Sequence, residues 1–464
     1  MYLKCIILFP VILLSNSDSV RILYQQGYTM AQAKALRNDW LKPVHVFAPG
    51  EENLRKTILK QVPEYRISDD EWIKHTRTTD LFLDNLATKI SDEVKKFDGE
   101  LQLTDEGFVK QASSRQGLKI SAPNEYDILL PFRIRGLDTK DFQGSELRGI
   151  DRKVIPGLSR QIIMIRNSEV SRNYPKLVGK GVFDTDSNGT TYIHTKNFLE
   201  RVWIQVVDKA VSNLKKNIPE MDIDRKNRPP AINIQTTVNG EVTDFDIVPA
   251  LLFDIELIKI PADVTGKKEK NVELPIYKLL KYDNHNRDQI KEVDRAMVWR
   301  EDTSSHERCM ADLCLSIPER QYIMTANRIL KAVIVALEKA QIPLGQLISS
   351  YHLKTIAYHC VLRLTMLKQK RKVDGVKDAL GYQIHYLDKC VQEENLPDFF
   401  HGNKHIDKIF PESVVTTNYR EANLFWKENP NMVAAAVHGM TDLKKMLVNC
   451  FTRFEDRDVA FLFK

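Results

Sequence analysis

Two acidic residues placed directly before a strongly apolar run constrain the fold of this 464-residue chain more than any other feature. Glu125 and Asp127 are followed by Ile-Leu-Leu-Pro-Phe at positions 128–132. Side chains at i and i+2 of an extended segment point to the same face, and the apolar run is typical of a strand buried inside a sheet. Because ionised carboxylates are costly to bury without a partner, we expect a cation or a ligand beside this pair.

A second acidic pair of the same form occurs at Asp244 and Asp246, and apolar residues follow Asp246 as they follow Asp127. The residues around it predict two paired strands, 231–237 and 242–253, joined by a turn at Asn239-Gly240. A single acid at the end of a strand is usually a surface carboxylate, but two such pairs are less easily explained by chance. Clustered hard oxygen ligands suit Mg²⁺ or Mn²⁺. Three carboxylates holding two such ions could activate an attacking hydroxyl and neutralise a leaving pyrophosphate.

The remaining pattern predicts a mixed α/β region followed by a helical one. Ser68 is a good helix N-cap, and the residues after it predict a long helix over 68–97 with an apolar stripe. That stripe consists of Leu81, Leu83, Leu86, Ile90 and Val94. Further strands are predicted at 117–120, 126–134 and 162–165, and helices at 192–214, 321–340, 344–370, 379–394 and 434–464.

These elements indicate an α+β chain with a long helix lying along a mixed sheet and an α-helical C-terminal lobe. We assign residues 1–60 to an N-terminal extension, 61–318 to the sheet-containing lobe and 319–464 to the helical lobe. A cleft between the two lobes is the expected place for a site.

Composition limits the setting of the protein more than its function. The content of 43% hydrophobic and 28% charged residues is ordinary for a globular protein, and the net charge of +6 permits nucleic-acid binding without arguing for it. Six scattered cysteines favour a reducing compartment, so we expect a cytoplasmic protein. The apolar run at 5–14 resembles a signal-peptide core and leaves secretion as the alternative. Cys309 and Cys314 with His306 lack a fourth ligand, and no zinc site is predicted.

Four stretches resemble cyclic GMP-AMP synthase and its animal relatives, the cyclic GMP-AMP synthase-like receptors. Residues 119–127, Lys-Ile-Ser-Ala-Pro-Asn-Glu-Tyr-Asp, are similar to the active-site strand of that family, and Asp-Ile-Val-Pro-Ala at 246–250 to the strand that bears its third metal ligand. Trp299-Arg300 with Glu307 matches its nucleotide-contacting run. Ser-Ser-Tyr-His-Leu-Lys-Thr at 349–355 matches its helical-lobe motif closely. The matches keep the family's order over roughly the last 400 residues.

The resemblance implies a nucleotidyltransferase fold and an enzyme that joins two nucleoside triphosphates, by default ATP and GTP, into a cyclic dinucleotide used as an innate immune, antiviral messenger. Glu125, Asp127 and Asp246 would be the catalytic metal ligands for Mg²⁺ or Mn²⁺, and Asp246 would also face the acceptor hydroxyl. Arg300 would bind the acceptor guanine, which suits its planar guanidinium. The resemblance assigns contacts with ATP to Ser113, Glu307, Arg328, Ser350, Tyr351, His352, Leu353 and Lys354.

One departure from the family pattern concerns the loop before the acids. The family has a Gly-Ser pair there, and this chain has Ala112-Ser113. Alanine resists positive φ and adds a methyl group where the backbone must approach a triphosphate. This substitution keeps open a second interpretation, a non-catalytic developmental or scaffold member of the same superfamily.

Basic clusters suggest an activating ligand. In the family, lack of a zinc-binding insertion accompanies receptors for ligands other than long DNA, often double-stranded RNA, so RNA is expected here rather than DNA. RNA of this kind is recognised mainly by shape and through its phosphates. A ligand-induced homodimer is a further possibility, and an enzyme that extends RNA ends is the third functional interpretation. The candidate RNA-binding residues are Lys89, Lys95 and Lys96 on the long helix and Lys370, Arg371 and Lys372 in the helical lobe, with Arg225 and Arg228 as additional cations.

Overall fold

The computed structural model describes residues 39–65, 68–120, 124–137, 139–143, 158–163, 167–185, 189, 191–218, 221–226, 231–238, 240–280, 298–367, 372–413 and 422–447. Several predicted features lie outside these residues. They are the apolar run at 5–14, Asn239, Arg228, Lys370, Arg371 and the end of the last predicted helix beyond residue 447.

A mixed sheet forms the first part of the molecule, in the order β1-β3-β10-β11-β12-β5-β7-β6. Strand β2 adds to β3, β4 to β5, β9 to β10 and β8 to β9. Among the described strands β3 and β10 are the one parallel pair. The strands are β1 Leu101–Leu103, β2 Val109–Lys110, β3 Glu125–Ile134, β4 Thr139–Gln143, β5 Leu158–Ile163, β6 Phe183–Thr185, β7 Thr191–Ile193, β8 Asp222–Lys226, β9 Ile232–Val238, β10 Glu241–Ile260, β11 Lys270–Leu279 and β12 Val298–Glu301.

Helices flank the sheet and make up the C-terminal region. Among the described helices, none is both long enough and apolar enough to cross a bilayer. The helices are α1 Glu52–Gln61, α2 Asp69–Val94, α3 Ala112–Arg115, α4 Asn167–Asn173, α5 Pro175–Gly179, α6 Thr195–Phe198, α7 Ile204–Asn217, α8 Ala262–Thr265, α9 Ser304–Cys314, α10 Pro318–Lys339, α11 Pro343–Leu347, α12 Ser350–Val361, α13 Val376–Gln392 and α14 Pro430–Met446.

Two large hydrophobic cores and a smaller cluster hold these layers together. In the first, α2 and α7 cover one face of the β3–β10 pair, where Phe82 packs on Phe245 with ring centres 4.7 Å apart and Tyr126 stacks on Phe245 at 5.6 Å. The second lies among α9 to α14 and includes the far ends of β10 and β11. Because β10 has 20 residues, one strand contributes to both cores and fixes the sheet against the helical region.

The chain is therefore a mixed α/β protein with a helical C-terminal region, as the sequence indicates. The long helix is confirmed, with the Ser68 side chain accepting a hydrogen bond from the Glu71 amide. The hairpin is also confirmed, since Glu241 pairs with Val238 across the turn. The prediction of the apolar stripe is wrong for one residue, because Leu81 is 61% exposed.

Three other predictions of secondary structure are corrected. Residues 117–120 form a loop and not a strand, since Gly117 has φ +71°. Residues 191–193 belong to β7, which pairs with β5 and β6, and the helix starts after His194. The helix predicted at 344–370 is interrupted at Ile348-Ser349, where extended backbone separates α11 from α12.

The segment before α2, assigned from the sequence to an extension, is integrated with the helical region. Val44 and Ile58 are buried in the second core. Glu51 accepts hydrogen bonds from the Val376 and Lys377 amides at 2.9 and 2.8 Å, at the start of α13. Residues 39–61 thus take part in helical packing, although their sequence shows no clear period.

Candidate active site

The two acidic pairs lie side by side on the parallel strands β3 and β10. The register pairs Asp244 with Glu125 and Asp246 with Asp127. Tyr126 and Phe245, which alternate with the acids, point into the first core. Because alternate side chains of a strand point to opposite faces, all four carboxylates share the other face, where the two on β3 are exposed and the two on β10 partly buried.

Amide side chains on β9 orient the acids of β10. Asn233 donates a short hydrogen bond from Nδ2 to Asp246 Oδ1. Gln235 donates from Nε2 to Asp244 Oδ1 at 2.9 Å. These two contacts repeat along neighbouring strands, so β9 presents a row of donors that holds the β10 carboxylates in position.

The donor chemistry of this face fits a divalent cation. Adjacent strands lie about 4.8 Å apart, so carboxylates in register can approach one ion. Mg²⁺ and Mn²⁺ prefer such oxygen ligands. In the described part of the chain no three acidic, histidine or cysteine side chains are gathered tightly enough to enclose an ion, so Glu125, Asp127 and Asp246 would have to converge when one binds.

Two lysines that sequence reasoning missed lie beside the acids. Burial lowers the pKa of Lys119, and the charges of Glu125 and Asp127 oppose that shift. Burial, reinforced by Lys119 and Arg328 and opposed by Glu125, lowers the pKa of Lys331 to about 8. These cations therefore stand near the acidic face. The available signals were weak: Lys119 is in the loop before the acids, and Lys331 is three residues after Arg328.

The loop before the acids is fixed to the acidic strand, and it contains the alanine that departs from the family pattern. Ala112 has φ +53°, in the left-handed region that glycine adopts more readily. The Gln111 amide donates to the Asp127 carbonyl at 3.0 Å. Ser114 Oγ donates to the Glu125 carbonyl at 3.3 Å. Ser113 follows Ala112 at the start of this short helix and is partly buried.

A buried ionic cluster joins this loop to the helical region. Lys354 Nζ forms a short ion pair with Glu307, and both side chains are no more than 10% exposed. Gln116 Nε2 donates to the same carboxylate at 2.8 Å. Lys354 Nζ also lies 4.8 Å from the ring centre of Tyr351, whose hydroxyl donates to Asp398 at 3.1 Å. The structure thus gathers Glu307, Tyr351 and Lys354.

The other residues of the Ser-Tyr-His-Leu-Lys run have roles in the fold. Ser349 and His352 form a reciprocal capping box at the start of α12. Burial lowers the pKa of His352 to about 4, so its imidazole is neutral at pH 7. Leu353 is in the second core, whereas Ser350 is exposed in the first turn.

The two predicted arginines have different surroundings. Arg328 is fully buried and donates to the carbonyls of Lys119 and Val44, at 2.6 Å each. Its guanidinium stacks over the Tyr65 ring at 4.9 Å, and its Nη2 has no hydrogen-bond partner among the described residues. Arg300 is exposed on β12. Burial raises the pKa of Tyr351, and the charge of Arg300 nearby opposes that rise. Arg300 is therefore near the Tyr351 cluster, whereas the contacts of Arg328 are with Lys119, Val44 and Tyr65.

Among the predicted nucleic-acid-binding lysines that the structure describes, Lys95, Lys96 and Lys372 are exposed and make local ion pairs. Lys95 contacts Asp92 at 3.0 Å. Lys96 contacts Glu93 at 2.6 Å, and Lys372 contacts Asp374 at 2.7 Å. Lys89 is on the same helix, partly buried.

The residues considered for zinc lie in the second core. Burial raises the pKa of both Cys309 and Cys314 to about 12, so the two thiols are protonated at pH 7. His306 is fully buried, and its Nε2 hydrogen-bonds to Ser413 Oγ at 2.9 Å.

Comparison with models of known protein families and with curated proteins gives no match for this chain. The acids of β3 and β10, the lysines beside them and the cluster around Glu307 are therefore the features from which a function can be inferred.

Proposed function

We propose that this protein is a metal-dependent nucleotidyltransferase of the cyclic GMP-AMP synthase-like kind, with the nucleotidyltransferase fold. The observation that carries the proposal is the in-register alignment of Glu125 and Asp127 with Asp244 and Asp246 on one face of a parallel strand pair. Lys119 and Lys331 beside that face supply cations for a triphosphate. The proximity of Arg300 and Tyr351 supports a nucleobase site nearby.

In this proposal Glu125, Asp127 and Asp246 hold Mg²⁺ or Mn²⁺. Those ions, when bound, neutralise the phosphates and activate the attacking hydroxyl. Asp246 faces the acceptor hydroxyl, and its hydrogen bond from Asn233 fixes the carboxylate. Lys119 and Lys331 bind the triphosphate and the pyrophosphate that leaves. Arg300 binds a guanine edge, and Tyr351 stacks on a base.

The reaction has two equivalent steps. A hydroxyl of one nucleotide forms a bond to the α-phosphorus of the other, and the bond from that phosphorus to the pyrophosphate breaks. The hydroxyl proton goes to a carboxylate of the acidic face or to water. A second attack, by a hydroxyl of the nucleotide just joined, closes the ring and releases a second pyrophosphate. ATP and GTP are the proposed substrates, with double-stranded RNA as activator and cytoplasmic innate immunity as the setting.

The test is a product assay with purified protein, labelled ATP, GTP, CTP and UTP, and Mg²⁺ or Mn²⁺. Double-stranded RNA or double-stranded DNA is added in separate reactions. We expect a phosphatase-resistant cyclic dinucleotide that disappears in Asp127→Asn and in Asp246→Asn, both with unchanged unfolding midpoints. Asp222→Asn, an exposed acid on β8, is the matched control and should retain synthesis. Synthesis retained in Asp127→Asn would contradict the mechanism.

A scaffold function is the second candidate, and specific observations favour it. Ala112 carries backbone strain where a triphosphate would be bound, and Lys354 is already paired with Glu307. The same assay separates the possibilities, because no product under any condition supports the scaffold. A lengthened RNA would instead support an RNA-end nucleotidyltransferase.

A further inference from the structure

A basic pocket lies at the far end of α2, away from the acidic face. It has a volume of about 390 Å³ and is lined by residues from the end of α2, from α5 and from residues 201–209. Ligand pockets in proteins are commonly about 300–1,000 Å³, so this one could hold a molecule of nucleotide size.

The walls of the pocket carry an excess of positive charge. Five cations line it, Lys96, Lys176, Lys180, Arg201 and Lys209, against one carboxylate, Glu93. Glu93 is buried, contacts Lys96 and accepts a hydrogen bond from Asn213 at 3.4 Å, so its charge is already compensated.

Two of these cations are available to a ligand. Arg201 and Lys209 are exposed, and neither forms an ion pair with any residue that the structure describes. Arg201 lies in the π-helical turn Leu199–Trp203 that joins α6 to α7, and Gln205 and Lys209 follow on α7, so all three face the same pocket. Lys180 is held across the pocket by its hydrogen bond to Gln205 Oε1 at 2.9 Å. A group with several negative oxygens could contact all three cations at once.

Part of the lining is apolar, which a site for inorganic anions would not require. Val202 and Val206 are buried beside the cations, and Phe97, in the turn after α2, is partly buried. Gly179, at the end of α5, adds no side chain to the lining. The arrangement combines a cationic rim with an apolar floor, which suits a ligand with phosphates at one end and a flat ring at the other.

The pocket is separate from the proposed catalytic face. Glu100 connects it to the end of β3, because its carbonyl accepts from the Arg135 amide at 3.0 Å and its carboxylate from the Lys176 amide at 3.0 Å. Glu125 and Asp127 are at the opposite end of that ten-residue strand, about 30 Å away at the usual rise per residue.

We propose that the pocket between α2, α5 and α6–α7 binds the phosphates and base of a nucleotide. Lys180, Arg201 and Lys209 hold the phosphates, and Phe97, Val202 and Val206 contact the base. The same chemistry is presented by a free nucleoside triphosphate and by the 5′-triphosphate end of an RNA strand. The proposal does not depend on catalysis at the acidic face.

The test measures binding of a fluorescently labelled ATP by polarisation, with the full chain in EDTA. Without divalent ions the acidic face repels a triphosphate, so binding there is suppressed. We expect Arg201→Glu/Lys209→Glu to weaken binding at least tenfold. Lys215→Glu/Lys216→Glu is the matched control, because it makes the same charge change at exposed positions of the same helix outside the pocket, and it should change binding less than threefold.

Competition with unlabelled compounds identifies the source of the ligand. Half-maximal competition at a lower concentration of ATP than of 5′-triphosphate RNA supports a free nucleotide, and the reverse order supports an RNA end. The proposal is overturned if 5′-hydroxyl RNA competes as well as 5′-triphosphate RNA, or if inorganic triphosphate competes as well as ATP. Equal losses of binding in the pocket and control variants would also overturn it, as would unchanged binding in the pocket variant.

Discussion

Near the acidic strand, the surrounding structure holds single residues in an unfavourable backbone conformation or in an environment that disfavours their charge. Ala112 is the clearest case, because it has φ +53° while hydrogen bonds on either side fix the loop to β3. Left-handed backbone costs an L-residue about 1–2 kcal/mol, so Ala112 stores strain directly beside the acids.

We therefore expect Ala112→Gly to stabilise the protein by about 1 kcal/mol, since relief of strain exceeds the extra entropy of glycine in the unfolded chain. Urea unfolding measures the change. Ala87→Gly in the interior of α2 is the control and should instead lower the free energy of unfolding by about 0.5–1 kcal/mol. A loss of stability in Ala112→Gly would contradict the argument from strain.

Lys331 provides a prediction of pH dependence. Its folded-state pKa is about 8, against 10.5 as the ordinary value, with burial as the first cause. Between pH 8 and 10.5 the unfolded chain binds more protons at this lysine, so its contribution to stability rises with pH across that window. Lys331→Met should be more stable than the original protein at pH 7, and the difference should shrink by pH 10. A difference that stays constant from pH 7 to pH 10 would be inconsistent with this pKa.

At the scale of elements, the position of functional groups depends on contacts between segments that are distant in sequence. The β3–β10 pair brings Asp127 and Asp246 together across 119 positions, and Gln116 reaches Glu307 on α9. The start of α13 is similar, because Glu51 from the segment before α1 binds two of its free amides.

Glu51→Ala should lower the free energy of unfolding by about 1–2 kcal/mol, because a helix start loses its carboxylate cap. The neighbouring Glu52 is exposed and accepts its hydrogen bond from the Gly50 amide and not from α13, so Glu52→Ala is a matched control with little effect. Chemical denaturation of the two variants distinguishes them. Equal stability of both would show that the cap does not contribute.

At the scale of the whole molecule, Arg328 links three parts of the chain. Its guanidinium binds the Val44 carbonyl, the Lys119 carbonyl and the Tyr65 hydroxyl, the last at 3.3 Å. The N-terminal segment, the loop before the acids and α10 thus share one buried cation. The resemblance implies that Arg328 contacts ATP. Because Arg328 binds the Lys119 carbonyl, a change of ATP binding on mutation of Arg328 would include a displaced Lys119.

Arg328→Met should cost about 3 kcal/mol or more, because two buried carbonyls lose their donor. Arg328→Lys keeps the charge but cannot match the planar guanidinium, so we expect an intermediate loss. Thermal and urea unfolding without nucleotide test this. Wild-type stability in Arg328→Met would mean that the residue has no role in holding these segments together.

The elements of the fold that were predictable are those with a strong pattern in the local sequence. The α2 helix has a cap and a 3.6-residue period, and the β9–β10 hairpin has strand residues around a turn with Gly240. The packing of residues 39–61 was not predictable, because their burial depends on contacts with α10 and α13. The interruption between α11 and α12 was also missed, since both sides have apolar helical sequence.

The sequence by itself determined which residues could carry chemistry, because two acid pairs before apolar runs are visible in any extended conformation. It also determined that a mixed α/β region precedes a helical one. Only the tertiary structure decided that the acid pairs lie in register, that Lys331 stands beside them, and that Arg328 contributes to the fold. Local propensity acts between near neighbours in the chain, whereas register, burial and charge proximity arise from contacts across a hundred residues or more.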